Sequence, residues 1–157
     1  MRLWDRIRAT LYPFLFPVAK LYAFVVRIKR VGAAVVIEHG KSVLMVRNTY
    51  GSGLWGFPGG RAKRVETPVQ AARREVREEV GIELPTLDSL GFFSFQTYDI
   101  HAFRAVVDSS YVRIDPGEIA EAVWVPLRDI GNYHCTDVAR IIIRKYFLYK
   151  TQHEHSA

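Results

Sequence analysis

Apolar residues are concentrated in short runs over much of the chain, and such runs are typical of buried β-strands. They cover residues 31–38, 42–47, 87–97 and 100–107. The first two runs flank the triplet His39-Gly40-Lys41, which predicts a hairpin turn. The last two runs meet near Tyr98 and Asp99. Together with two helical stretches, they predict a single α+β domain.

The clearest helical stretch lies between Thr67 and Gly81. Thr67 is placed to cap the helix, with Pro68 at its first position and Gln70 three residues after the cap, which forms a capping box. Gly81 is placed to end the helix. At about 100° per residue, the apolar face is predicted to hold Val69, Ala72, Val76 and Val80.

Three acidic residues of this helix, Glu75, Glu78 and Glu79, are predicted to lie close together on its surface. Like charges three or four residues apart repel by roughly 0.2–0.5 kcal/mol. A hard divalent cation such as Mg²⁺ turns that repulsion into binding, because it takes oxygen ligands from carboxylates and phosphates. Arg74 reaches Glu78 across one helical turn and is expected to hold it. The pattern therefore indicates a cation site.

The segment from Gly60 to Ile82 resembles the signature of the Nudix hydrolases, G-x5-E-x7-R-E-U-x-E-E-x-G-U, in which U is aliphatic. The specified positions hold Gly60, Glu66, Arg74, Glu75, Val76, Glu78, Glu79, Gly81 and Ile82, and every one matches. A chance match in a chain of this length is on the order of 10⁻⁷ with average residue usage. The resemblance is looser elsewhere, from about Val31 to Tyr149. It implies an α/β/α sandwich around a mixed β-sheet over residues 31–150.

The resemblance also implies an activity, which is hydrolysis of a diphosphate linkage in a nucleoside diphosphate joined to another moiety. The implied ligands of Mg²⁺ or Mn²⁺ are the carbonyl of Gly59 and the carboxylates of Glu75, Glu78 and Glu79. Glu75 or Glu79 is expected to orient or deprotonate the attacking water, with Arg74 beside them. Arg74 and Glu66 are expected to contact the metal ligands and fix their orientation.

Two further sets of residues are candidates for the same site. The passage from Asp115 to Leu127 is similar to one that often supplies another acid in Nudix enzymes, and Glu118 and Glu121 are the two candidates. Three basic residues lie in the loop before the helix, where they would contact phosphate oxygens or form a solvated loop. They are Arg61, Lys63 and Arg64.

The net charge of +6 is concentrated at the N-terminus. Residues 1–30 hold seven of the 22 basic and one of the 16 acidic residues, which leaves 15 of each for the remainder. The basic character therefore belongs to this segment, and we expect no specific nucleic-acid partner for the domain. The partner expected from the resemblance is a small nucleotide-type substrate.

Residues 1–30 are rich in aromatic and basic side chains. One interpretation is an interfacial anchor that contacts an anionic membrane surface. A second is packing on the domain or on the second copy of a homodimer. A third, a spanning or cleaved helix, is disfavoured because Pro13, Pro17 and Lys20 interrupt the apolar run.

A second helix is predicted after Thr136, which is placed to cap it. Its mainly apolar face is predicted to hold Val138, Ile141, Ile142, Lys145 and Tyr146. Residues 151–157 are predicted to form a polar tail. The single cysteine, Cys135, rules out an intrachain disulfide and favours a reducing, cytoplasmic location, with a peripheral position on the inner face of the membrane if the anchor forms.

Two alternative functions remain open from the sequence. The domain is either a catalyst or a non-catalytic nucleotide-binding or membrane-tethered regulatory module with the same fold. As a catalyst it acts on a nucleotide derivative or, alternatively, as a pyrophosphohydrolase on RNA 5′ ends. The full set of acidic residues favours catalysis, and the neutral charge of the domain disfavours RNA.

Overall fold

The computed structural model describes residues 30–50 and 52–154. The predictions for residues 1–29 therefore lie outside the described residues. The strands are β1 (Arg30–His39), β2 (Ser42–Asn48), β3 (Trp55–Gly56), β4 (Gly59–Arg61), β5 (Asp88–Ser94), β6 (Tyr98–Val106) and β7 (Ile119–Pro126). The helices are α1 (Pro68–Val80) and α2 (Asp137–Glu154), with a 3₁₀ helix at Leu127–Asn132.

The strands form one seven-stranded mixed sheet whose main path is β3-β2-β1-β6-β5. β1 runs parallel to β6 and antiparallel to β2 and β4, and β7 pairs antiparallel with β2. The predicted hairpin forms between β1 and β2, with Gly40 in the left-handed region at φ 58°.

Two hydrophobic clusters, one on each face of the sheet, hold the layers together. Alternate residues of β1 point to opposite faces, so Val35 packs in the cluster with α1 and Val36 in the cluster with α2. Val76 anchors α1 in the first cluster, and Ile142 and Tyr146 anchor α2 in the second. The predicted α/β/α arrangement around a mixed sheet is therefore confirmed.

The buried face of α1 differs in detail from the predicted one. Val76 and Val80 are fully buried, but Val69 is 40% exposed. Periodicity identifies the direction of the apolar face, but not where along the helix axis the packing begins. The buried set also includes Glu79, which the sequence placed on the acidic side. The buried carboxylate accepts a hydrogen bond from the backbone N–H of Gly59.

The buried face of α2 is also rotated from the predicted one. Ala139, Ile142 and Tyr146 are buried, whereas Lys145 is exposed because its ammonium group stays in water. The helix continues to Glu154, into the segment assigned to a polar tail. Neither helix within residues 30–50 and 52–154 has the length and apolar content of a bilayer span.

Candidate active site

The ends of α1 are set by the capping residues that the sequence predicted. The backbone N–H of Gln70 donates to Thr67 Oγ1 at 3.2 Å, and the N–H of Thr67 donates to Gln70 Oε1 at 2.9 Å. At the other end Gly81 adopts φ 70° and its N–H donates to the carbonyl of Arg77. These contacts fix where the helix starts and stops, and so which acidic residues face the sheet.

The bend that leads into β4, together with the first two residues of β4, Gly59 and Gly60, brings the backbone close to both α1 and β1; we call this stretch the Gly59–Gly60 turn. Gly59 has φ 145°, and a Cβ atom there would lie 2.2 Å from the carbonyl oxygen of Ala33. A Cβ atom on Gly60 would lie 2.5 Å from the carboxyl carbon of Glu75. At Gly59 only glycine fits, because any side chain would meet the backbone of β1. As a result, the N–H of Gly59 donates to Glu79 Oε2 at 2.8 Å.

Three carboxylates meet beside this turn. Oxygens of Glu75, Glu79 and Glu118 lie within 4.8 Å of one another, and we call this set the acidic cluster. Glu79 is only 3% exposed, and its burial, together with the charges of Glu75 and Glu118, raises the pKa of its carboxyl to about 8. The Gly59 N–H opposes that shift.

Arg74 contacts carboxylates both on α1 and in the loop before it. Its guanidinium donates to both oxygens of Glu66, at 2.6 and 2.8 Å, and to Glu78 at 2.9 Å. It also donates to the carbonyl of Arg61 at 3.0 Å and forms an ion pair with Glu75 at 2.9 Å. The hydrogen bonds from Arg74 lower the pKa of Glu66 to about 2. Arg74 therefore ties the acidic cluster to the loop before α1.

Basic side chains offset the negative charge of the acidic cluster less than they offset that of Glu66 and Glu78. Among residues 30–50 and 52–154, no lysine or arginine forms an ion pair with Glu79 or Glu118. A buried carboxylate without a cationic partner is costly to ionise. The three oxygen donors fit a hard divalent cation such as Mg²⁺ or Mn²⁺, which would supply the missing positive charge.

The two candidates for a further acid of the site, Glu118 and Glu121, lie in different surroundings. Glu118 lies in the acidic cluster, whereas Glu121 forms an ion pair with Arg47 at 2.6 Å. Glu78 is held by Arg74, has a side chain that is 48% exposed, and lies outside the three-residue cluster. The roles assigned to these acids and to the Gly59 carbonyl remain predictions.

The three basic residues before α1, Arg61, Lys63 and Arg64, are exposed. Arg61 lines a cavity next to Gly59 and Gly60, and its carbonyl accepts from Arg74. The backbone N–H of Lys63 donates to Glu66 Oε2 at 2.8 Å. Their contact with phosphate, and that of Arg64, stays a prediction.

The structure adds one residue, Tyr50, to those that the sequence predicts near the acidic cluster. Tyr50 follows β2, and burial together with the charges of Glu118, Glu79 and Glu75 raises the pKa of its phenol. A lone tyrosine in a polar loop carries no periodic signal. Only the pairing of β2 with β7 brings this loop to Glu118.

A cavity of about 450 Å³ opens beside the Gly59–Gly60 turn, between the sheet and α2. Its walls are mainly apolar, and they include Ala34, Phe57, Ile100 and Ile142. Asn48 and Thr136 supply polar groups. The cavity therefore adjoins the acidic cluster through the shared turn.

The α/β/α domain thus brings three carboxylates together beside a pair of glycines, and such a cluster offers the oxygen ligands that a divalent cation takes. The NUDIX domain model matches residues 27–145. The chain therefore belongs to the Nudix family.

Individual relatives agree with this assignment. The chain is 38% identical over 77 residues to the oxidized purine nucleoside triphosphate hydrolase of Danio rerio, covering 45% of this chain and 49% of the relative. It is 33% identical over 99 residues to the NAD-capped RNA hydrolase NudC of Citrobacter koseri, covering 61% and 38%. The matched part spans about half of the length of such curated relatives or less.

A solved structure extends the similarity over most of the domain. The MutT NUDIX hydrolase from Burkholderia pseudomallei superimposes with a TM-score of 0.68 at 25% identity. The alignment covers 74% of this chain and 97% of that protein.

Proposed function

We propose that this protein hydrolyses a phosphoric anhydride linkage in a nucleoside diphosphate joined to another moiety. The observation that carries the proposal is the acidic cluster of Glu75, Glu79 and Glu118, which lacks a full complement of basic partners and faces a glycine turn. Relatives whose names describe nucleotide hydrolases support it.

The acidic cluster is the proposed site of Mg²⁺ or Mn²⁺. Glu75, Glu79 and Glu118 would hold the ion, and Glu78 and the carbonyl of Gly59 are further candidate ligands. When bound, such an ion neutralises phosphate oxygens and lowers the pKa of a water molecule. Arg74 forms ion pairs with Glu75 and Glu78. These contacts would keep both carboxylates in position when a cation binds.

Glu79 is the proposed proton acceptor for the attacking water. The Gly59 N–H holds one of its oxygens at 2.8 Å, which fixes this carboxylate beside those of Glu75 and Glu118. Glu75, whose carboxylate is already engaged by Arg74, is the alternative acceptor.

The cavity next to the acidic cluster is the proposed site for the nucleoside part of the substrate. Its volume of about 450 Å³ falls within the range of small-molecule sites, roughly 300–1,000 Å³. Its apolar walls suit a planar ring, and the amide of Asn48 offers a hydrogen-bonding group. Arg61 lines the same cavity near Gly60 and would contact phosphate.

A substrate panel tests the proposed function. It contains nucleoside triphosphates, nucleotide sugars, dinucleoside polyphosphates, ADP-ribose, NADH and NAD-capped RNA, each with Mg²⁺ and with Mn²⁺. The capped RNA is included because one relative is named as a hydrolase of it. Metal-dependent turnover of one class, absent from the Glu79→Gln variant, is the expected result. Binding without turnover across the whole panel would instead favour a non-catalytic module.

The N-terminal segment is the proposed contact with an anionic membrane surface, since it carries most of the excess positive charge. Replacing Arg2, Arg6 and Arg8 by glutamate in the full chain should reduce binding to vesicles that contain phosphatidylserine. Unchanged binding would favour packing on the domain or a homodimer contact, which sedimentation distinguishes.

A further inference from the structure

Glu118 joins the acidic cluster from outside the signature segment. It lies in the connection just before β7, is exposed, and carries the same charge as the two carboxylates that it meets. Like charges at this distance repel, and an exposed glutamate is free to turn toward water. Its position therefore requires local contacts that hold it.

Asp115 supplies the first set of such contacts. Its N–H donates to the backbone carbonyl of Glu79 at 2.9 Å, which ties the connection to the end of α1. Its Oδ1 accepts from the N–H of Gly117 at 2.8 Å. Its carbonyl accepts from the N–H groups of Glu118 and Ile119 at 3.1 and 2.8 Å. Residues 115–118 thus form a tight turn, and its first residue is tied to the backbone of Glu79.

Thr49 supplies the second set from the opposite side. Its N–H donates to the carbonyl of Glu118 at 2.9 Å. Its hydroxyl donates to the carbonyl of Gly117 at 2.9 Å, with a longer contact of 3.2 Å to that of Glu118. The pairing of β2 with β7 shifts register between Arg47 and Asn48, next to Thr49.

We propose that Asp115 and Thr49 are positioning residues: they fix the backbone at Glu118 and so place its carboxylate beside Glu75 and Glu79 before an ion binds. This inference rests on the proposed function, because it assumes that the acidic cluster binds a divalent cation. Preorganised ligands bind more tightly, since the cost of ordering them has been met in folding.

The experiment measures Mn²⁺ affinity of the full chain without nucleotide, by electron paramagnetic resonance titration. Thr49→Val and Asp115→Ala should each weaken Mn²⁺ binding by about three- to tenfold, the value of one lost hydrogen-bonding group. Thr49→Ser and Asp115→Asn keep the acceptors and donors and should bind within about twofold of the wild type. Circular dichroism establishes that each variant is folded.

Two matched controls remove similar hydrogen bonds elsewhere. Thr151→Val removes an exposed hydroxyl that donates to the carbonyl of Phe147, and Ser109→Ala removes an acceptor of the Tyr111 N–H. Both should leave Mn²⁺ affinity unchanged. Equal losses in the controls and in Thr49→Val would overturn the inference.

A double-mutant cycle separates positioning from a general structural effect. Glu118→Gln should weaken Mn²⁺ binding, and Thr49→Val should add nothing in that background, because the carboxylate that it positions is gone. Additive losses, or no loss in Glu118→Gln, would overturn the inference while leaving the proposed function in place. A wild-type protein that takes up no Mn²⁺ would instead reject the proposed function itself.

Discussion

Two acidic side chains are buried in the described part of the chain, and their surroundings are opposite. Glu38, 5% exposed at the end of β1, receives two hydrogen bonds from Arg104 and lies 3.7 Å from Lys150. Glu79, 3% exposed near the end of α1, receives one hydrogen bond from the Gly59 N–H and faces other carboxylates.

The difference shows that burial of a charge does not by itself indicate a functional site. At Glu38 the cationic partners offset the loss of hydration, so the carboxylate belongs to the scaffold. At Glu79 the neighbours add to the cost, and the fold keeps an arrangement that a cation would stabilise. The sign of the surrounding charges distinguishes the scaffold role of Glu38 from the role that we propose for Glu79.

The largest expected effect comes from Glu79→Gln. Removing the proposed base should lower kcat by about 10²–10⁴-fold, with the fold retained because glutamine still accepts from Gly59. Steady-state hydrolysis of the best panel substrate measures it. Glu83→Gln, on an exposed side chain after α1, serves as the control. A variant with activity within about tenfold of the wild type would contradict the assignment of Glu79.

Arg104→Met tests the other buried carboxylate. It should lower the stability of the protein and leave the activity of the folded enzyme nearly unchanged. It leaves Glu38 buried with Lys150 as its remaining cation, and we expect a loss of up to about 3–5 kcal/mol in the free energy of unfolding. The kcat of the folded enzyme should stay within about twofold, because Arg104 contacts no residue of the acidic cluster. Urea unfolding and kinetics measure the two quantities; normal stability with impaired turnover would refute this division of roles.

The pH dependence of stability should also separate the acidic residues. The pKa of Glu79 rises from 4.5 to about 8 on folding, so its stabilising contribution is complete below pH 4.5 and is lost as pH rises to about 8. Without divalent ions, the free energy of unfolding should fall by up to about 4 kcal/mol across this range.

Urea unfolding in EDTA at several pH values measures the Glu79 contribution, and Glu79→Gln should remove the dependence. Glu66 should show the opposite sign, because its pKa falls to about 2: its contribution is present above pH 4.5 and lost as pH falls toward 2. A Glu79→Gln variant with the same pH profile as the wild type would be incompatible with this account.

The smallest expected effect is that of Glu121→Gln. Its partner Arg47 is about as exposed as Glu121 itself, at 43% and 44%, so the ion pair should contribute no more than about 1 kcal/mol to stability. Activity should change by less than about threefold, in contrast to a clear loss in Glu118→Gln. Activity assays on both variants in parallel decide the point; equal losses would place Glu121 in the site.

Local chemistry made much of α1 predictable from the sequence. The capping box at Thr67 and the stop at Gly81 depend on neighbouring residues, and both form as predicted. The choice between Glu118 and Glu121 was not predictable, because it depends on how β7 pairs with β2 and where that register shifts. The burial of Glu79 likewise depends on a turn 20 residues earlier in the chain.

We expect the acidic cluster to take up a divalent cation in place of a proton on Glu79. Calorimetric titration of the full chain with Mn²⁺ at pH 7, in two buffers of different ionisation enthalpy, tests it directly. The account predicts saturable binding with release of close to one proton per ion, and loss of that release in Glu79→Gln. Absence of saturable binding, or the same proton release from the variant, would contradict it.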